Sequence, residues 1–506
     1  MWHVKLYLPQ LTYFLFKFIC MRILIVFLFF ILVVSDVKSQ EKNEEMRSFM
    51  GEEMQDFDKF ISDANREFVS FLREAWTEFT IERPMSRFHY PEQPKPVIFS
   101  GDPNVVNLSS TEIKVGNVID ESNIIENKQF VANPLENHSM FSSSNVTENR
   151  EQIDFCGTSI SVDSSVKGVC VLPSLSENDI ADAYEMLCGM SLKALLNDIK
   201  IAQCKYCLND WGVVMLVRNI ADAFCPNHNS SIVMQQFIFN ELGFKTRMAR
   251  REDRAEMMMF IATDCQVYGR PYTIINGEKY YNIDDASLCR FYMCKADYGG
   301  AKRSVSMALT KSPIIGREYV ERKWVNHNGD VSVTLSINKS LIDFYSTMPQ
   351  CDFSVYVLSV SDSITSSGLL ASLSLVVNQS CESEAVGKLL NFVQTAFDYA
   401  TDDEQFGYEK PFFVEETLFY PACDCEDRSI LFARLVRRFI GLDVVLLDYP
   451  NHIATAVCFN EDVPGDYVLV EGKKFVVCDP TYIGASIGMT MPQFKNVSPG
   501  VLRFCL

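Results

Sequence analysis

Tryptophan is scarce in this chain, at 4 of 506 residues, and histidine hardly commoner at 6. No run of lysine or arginine occurs, and the formal net charge is −19. A nucleic-acid partner is excluded on that ground, because phosphate binding needs clustered cations. The apolar run from Ile23 to Val34 holds about 12 residues, where about 20 are needed to span a bilayer. Cys204 and Cys207 form the one CxxC pair, and no second pair or suitably spaced histidines follow to complete a zinc site. They are expected to be two partly buried helix cysteines, and no metal or cofactor is expected anywhere. What the chain does have is phenylalanine, 37 residues, and cysteine, 17. With 48% apolar and 22% charged residues it reads as globular, long enough for two or three domains.

The N-terminus reads as an export signal. Met21 and Arg22 precede ILIVFLFFILVV, and Val37-Lys38-Ser39 offers a cleavage site before Gln40. Residues 1–39 are therefore expected to be removed, with Met21 as the start and a periplasmic, cell-surface or secreted destination. The rival is a longer anchor that includes LTYFLFKFIC, but Pro9, Lys17 and Arg22 interrupt it.

Beyond the signal, residues 40–85 predict an amphipathic helix. Met50, Met54, Phe57, Ile61, Ala64, Phe68, Leu72, Ala75 and Phe79 recur every three or four positions, and Pro84 ends the pattern. Such a helix could serve a partner or an oligomer through 44–79. Residues 86–150, rich in Asn, Ser and Glu, read as a linker or insert. From 151 to 330 the pattern predicts helices at 178–202, 209–224 and 230–242, then strands at 257–263, 271–275 and 279–284. Alternation over 331–377 predicts a β-rich connector, 331–380. In 381–506 a helix carrying Val386 to Ala400 precedes a polar loop, a second helix at 425–440 and several strands.

Chemistry concentrates in that last segment. Asp424 is placed to cap the second helix, with Cys425 at its first position and Asp427 at its third, a shortened capping box. A thiol there meets the positive end of the helix dipole, which favours thiolate. Asp424, Glu426 and Asp427 oppose that effect, so a partner base is required. Only His452 among the histidines follows the thiol in sequence. It opens a strand whose face continues with Ala454, Ala456 and Cys458. Asp479 closes the later strand KKFVVCD and is placed to orient the imidazole. The short segment YVLV, 467–470, leaves the strand order open, because a simple meander would put His452 and Asp479 at opposite ends. Cys423 is a rival nucleophile outside the first helical turn, and Cys458 reads as core. Each residue also has an ordinary reading: a buried thiol, a turn histidine, and an Asx-turn acceptor before Pro480.

CDCEDRSILFARLVRRFIGLDVVLL, PNHIATAV and VVCDPTY together resemble the transglutaminase-like superfamily, over roughly residues 382–506. That resemblance implies an α+β, papain-like core in which a helix packs on an antiparallel sheet. It also implies Cys425 as nucleophile, His452 as base and acid, and Asp479 as orienting carboxylate. The oxyanion-binding side chain of the family has no clear counterpart; Tyr420 with the Cys425 amide is the candidate. Residues 225–284 resemble a worn copy of the same unit. In that alignment Cys225 matches Cys423, Gly243 matches Gly441, Asp284 matches Asp479, and Asn227 stands at the Cys425 position. The implied activity is acyl transfer or hydrolysis at an amide of a protein or peptide. The alternative is a catalytically silent module that binds peptides on the same fold.

Overall fold

The computed structural model describes residues 59–86, 96–101, 109–121 and 149–504, apart from 252, 285, 286 and 379. The export signal and the first part of the expected N-terminal helix lie outside the described residues. Ala64–Asn127 and Thr147–Leu506 form one compact unit with one large apolar core among the described residues and three smaller clusters. The large core draws on all three expected segments, 151–330, 331–380 and 381–506.

The first described helix, α1, covers the described residues 59–72 and ends earlier than the pattern predicts. The Trp76 indole donates to the Leu72 carbonyl at 3.1 Å and so satisfies a helix-end acceptor. The chain then becomes a strand, β1 (Thr77–Phe79), within what was expected to be helix. The expected linker also carries structure, in two short strands, β2 (Thr111–Glu112) and β3 (Val118–Asp120). A hairpin, β4 (Arg150–Phe155) and β5 (Thr158–Asp163), opens the main body.

Four helices follow: α2 (Glu177–Cys188), α3 (Lys193–Lys205), α4 (Asp210–Phe224) and α5 (His228–Glu241). The single helix expected over 178–202 is broken at Gly189, whose N–H caps α2 by bonding to the Glu185 carbonyl. Cys207 lies beyond the end of α3 with φ 51°, so the CxxC pair straddles a helix terminus. Asn227 caps α5, accepting from Ser230 N–H at 3.0 Å. Strands β6 (Thr246–Arg251), β7 (Glu256–Ala262), β8 (Tyr272–Ile275), β9 (Glu278–Asn282) and β10 (Phe291–Met293) complete this half. With β1 they form a six-stranded sheet in the order β1-β10-β6-β7-β9-β8.

The expected β-rich connector is only partly strand. A hairpin, β11 (Tyr319–Val325) and β12 (Ser332–Asn338), gives way to α6 (Lys339–Tyr345), α7 (Phe353–Val357) and α8 (Ser363–Asn378). All five residues of FSVYV are buried. A segment buried on every side has no period to separate strand from helix.

The last segment contains α9 (Glu382–Thr395), the short β13 (Asp398–Tyr399), α10 (Asp402–Gln405), α11 (Val414–Phe419), β14 (Ala422–Cys423) and α12 (Cys425–Phe439). Its strands are β15 (Asp443–Tyr449), β16 (His452–Cys458), β17 (Asp466–Val470), β18 (Lys473–Cys478) and β19 (Gly500–Arg503). They join β2 and β3 in a seven-stranded sheet of order β2-β17-β18-β16-β15-β19-β3. Ile430, Leu431, Phe432, Leu435 and Val436 turn the buried face of α12 inward. Each such side chain contributes about 1.5–3 kcal/mol of transfer free energy. Helix α12 packs on β15 and β16, and α5 packs on β6 and β7.

Candidate active site

The sheet order removes the difficulty posed by YVLV. Strand β17 lies outside β18, so β18 pairs directly with β16, antiparallel, with Thr455 opposite Cys478. The β17–β18 loop is the pair Glu471-Gly472, with φ of 49° and 78°. Positive φ at both central residues suits a tight hairpin to the twist of its strands. That turn reverses the chain outside the catalytic strand pair, and Asp479 emerges one residue beyond β18, beside the start of β16.

There the three expected residues converge. His452 Nε2 lies 2.9 Å from Asp479 Oδ2, and the imidazole is only 1% exposed. The Cys425 sulfur lies close enough to act on the imidazole. Burial alone would push His452 down; the Asp479 carboxylate and the Cys425 sulfur outweigh it and hold the imidazole up at about 10. Asp479 is itself fixed, since its Oδ1 accepts the Thr481 N–H at 2.9 Å.

Local chemistry explains each position. Asp424 caps α12 in extended backbone, and its N–H donates to Asp427 Oδ2 at 3.4 Å, the returning half of a capping box. Asp427 Oδ1 also accepts the Phe412 N–H at 2.7 Å, which ties the preceding loop to the helix tip. Pro450 and Asn451 turn β15 into β16, with Asn451 at φ 59°. Serine at position 429, one turn into α12, donates to the Ile453 carbonyl at 3.0 Å and joins the helix to the histidine's strand.

Several contributors escaped the sequence reading. Gln394 on α9 donates from Nε2 to the carbonyls of Asp479, Tyr482 and Ala485 at 2.8 to 3.1 Å. One amide thus anchors the loop that presents Asp479. Arg428, 1% exposed, reaches the carbonyls of Gln394, Phe397 and Asp398 and couples α12 to the end of α9. Nothing in local sequence period announces either side chain; only their burial beside exposed backbone carbonyls does.

The acidic residues around the thiol behave differently from the expectation. Asp402, Asp424, Glu426 and Asp427 are all buried. Burial, reinforced by Asp424 and Asp427, pushes Asp402 up to about 11. Glu409 rises to about 7 through burial and Asp424, and burial raises Asp424, Glu426 and Asp427 as well. Carboxyls raised in this way are ionised less at a given pH, so they oppose a thiolate less than ordinary carboxylates would. Glu426 also accepts the Cys425 S–H at 3.2 Å, which gives the thiol a second partner. Asp402, Glu409 and Glu426 bring carboxylate oxygens within 4.8 Å of one another, a hard-oxygen set that could accept a divalent cation in place of shared protons.

Tyr420, the candidate oxyanion donor, has its ring against Phe406, Phe412 and Phe419, with Lys410 Nζ 5.6 Å from its centroid. Those contacts place it in an aromatic cluster of its own. Cys423 is fully buried, and burial pushes its thiol up to about 12, which makes it inert. Cys458 lies at the far end of β16 from His452.

In the N-terminal half, helix α5 begins at His228, with Asn227 as its cap. Asn227 caps its helix as Asp424 caps α12, and His228 takes the first helical position that Cys425 takes there, one position away from the sequence alignment. His228 Nε2 contacts the Met257 carbonyl at 3.1 Å. Asp284 pairs with Arg218 at 2.8 Å and accepts the Met259 N–H at 2.6 Å. Comparison with protein-family models, with curated proteins and with solved structures returns no match.

Proposed function

We propose that this protein is an exported, papain-like thiol enzyme of the transglutaminase-like kind that transfers an acyl group through Cys425. The carrying observation is the buried His452, bonded to the Asp479 carboxylate and close to the Cys425 thiol. In this reading His452 takes the thiol proton, the sulfur attacks an amide carbonyl, and the imidazolium returns the proton to the leaving amine. Water as acceptor gives hydrolysis of a protein or peptide amide; an amine acceptor gives a crosslink.

The strand orders support a duplicated core. β10-β6-β7-β9-β8 in one sheet and β19-β15-β16-β18-β17 in the other run through corresponding strands, with every internal pairing antiparallel. Both end hairpins use two-residue turns at positive φ, Asn276-Gly277 and Glu471-Gly472. The N-terminal copy lacks a thiol at its helix tip and engages its carboxylate with an arginine, so its role is structural or substrate-binding.

One observation favours the second reading, a silent peptide-binding module. The Cys425 thiol bonds to Glu426, which occupies its proton. Ranking the thiols by iodoacetamide alkylation across pH, with peptide mass spectrometry, separates the two. An enzyme has Cys425 fastest at near-neutral pH and loses acyl transfer in Cys425→Ala. Alkylation of Cys425 no faster than that of exposed Cys381 would leave the module reading in possession.

A further inference from the structure

Resting on the proposed thiol chemistry, we infer that Phe494 is a positioning residue for His452: its ring sets the plane of the imidazole and keeps water from the His452–Asp479 hydrogen bond.

Phe494 ends a short 3-10 turn, Pro492–Phe494, well separated in sequence from the triad. Its ring lies parallel to the imidazole, 4° between planes and 5.1 Å between centroids. Tyr449, the residue paired with His452 across the β15–β16 hairpin, stacks on the other ring at 4.7 Å. The Tyr449 and His452 rings are 6.4 Å apart, so three rings group at one end of the hairpin. His452 is 1% exposed while Phe494 is only partly buried, so the phenyl ring takes the solvent contact that the imidazole avoids. The turn is held by its own backbone, Phe494 N–H to Met491 at 2.9 Å and Val497 N–H to Phe494 at 3.0 Å.

Two physical consequences follow from this cover. An imidazole must keep one plane for Nε2 to face Asp479, and a parallel ring resists rotation out of that plane. A hydrogen bond shielded from water is also stronger than one that water competes for. When the imidazole carries its second proton, the phenyl face attracts the cation. A leucine in place of Phe494 would fill much of the space but supply neither the flat surface nor the π face.

The test uses the full chain and two readouts, the alkylation rate of Cys425 relative to Cys381, and the downfield proton resonance of the buried imidazole N–H. Phe494→Leu is expected to slow Cys425 alkylation at least tenfold and to broaden the N–H resonance through exchange with water. Phe494→Trp, which restores a flat ring, is expected to return both to within threefold of wild type. Unchanged rate and resonance in Phe494→Leu would overturn the inference, leaving the ring as packing. Should the leucine variant fail to fold, the wild-type resonance decides: rapid exchange with solvent in the intact protein overturns the inference, and protection supports it. The reading on which this rests fails separately, if wild-type Cys425 alkylates no faster than Cys381.

Discussion

Replacing Asp479 by asparagine keeps the shape of the site and removes one charge. The asparagine carbonyl can still accept the Thr481 N–H that Asp479 Oδ1 now accepts. What disappears is the largest influence holding the imidazole up at about 10, so burial lowers it against the remaining pull of Cys425. Each unit of imidazole pKa changes the thiolate–imidazolium population about tenfold. A fall of about two units, and so alkylation about a hundredfold slower, is expected. The assay is iodoacetamide alkylation of Cys425 at pH 7, read against exposed Cys381 in the same sample, with folding checked by thermal melting. Alkylation within threefold of wild type in a folded variant would mean that the carboxylate does not govern the imidazole, and the proton path through His452 would have to be abandoned.

Two further outcomes follow from the structure. Glu415 is fully buried and its carboxyl is pushed up to about 7, so the folded chain keeps a proton that the unfolded chain releases near pH 4. Stability present at low pH is therefore lost as pH rises through 7; between pH 5.5 and 8 this group costs about 2 kcal/mol, and Glu415→Gln should remove that part of the slope in urea unfolding. Asp284→Asn, which breaks the pair with Arg218, should lower the melting temperature yet leave Cys425 alkylation within twofold.

Cys425, His452 and Asp479 each sit where local rules put them: a helix tip after a cap, a strand start after a Pro-Asn turn, and a position just past a strand end before proline. The helices α4, α5 and α12 and the strands β7 to β9 followed period and capping for the same reason. Where the reading failed, burial or distant pairing had erased the local signal. FSVYV is apolar on every side and became helix. Thr77–Phe79 left the helical pattern because β10 offers it a ladder. Two- and three-residue strands in an Asn- and Ser-rich stretch carry no period at all, so β2 and β3 went unread. The upward shift of the acids near Cys425 depends on depth from solvent, which sequence does not encode.

Those two small strands bind the beginning of the protein to its end. Strand β2 runs beside β17 and β3 beside β19, so residues 109–121 close both borders of the sheet that carries His452. Residues 118–120 leave the ribosome long before their partners at 501–503 exist. The sheet can be completed only after residues 501–503 have been made. Until then the strand that opens with His452 sits in a sheet with one border open.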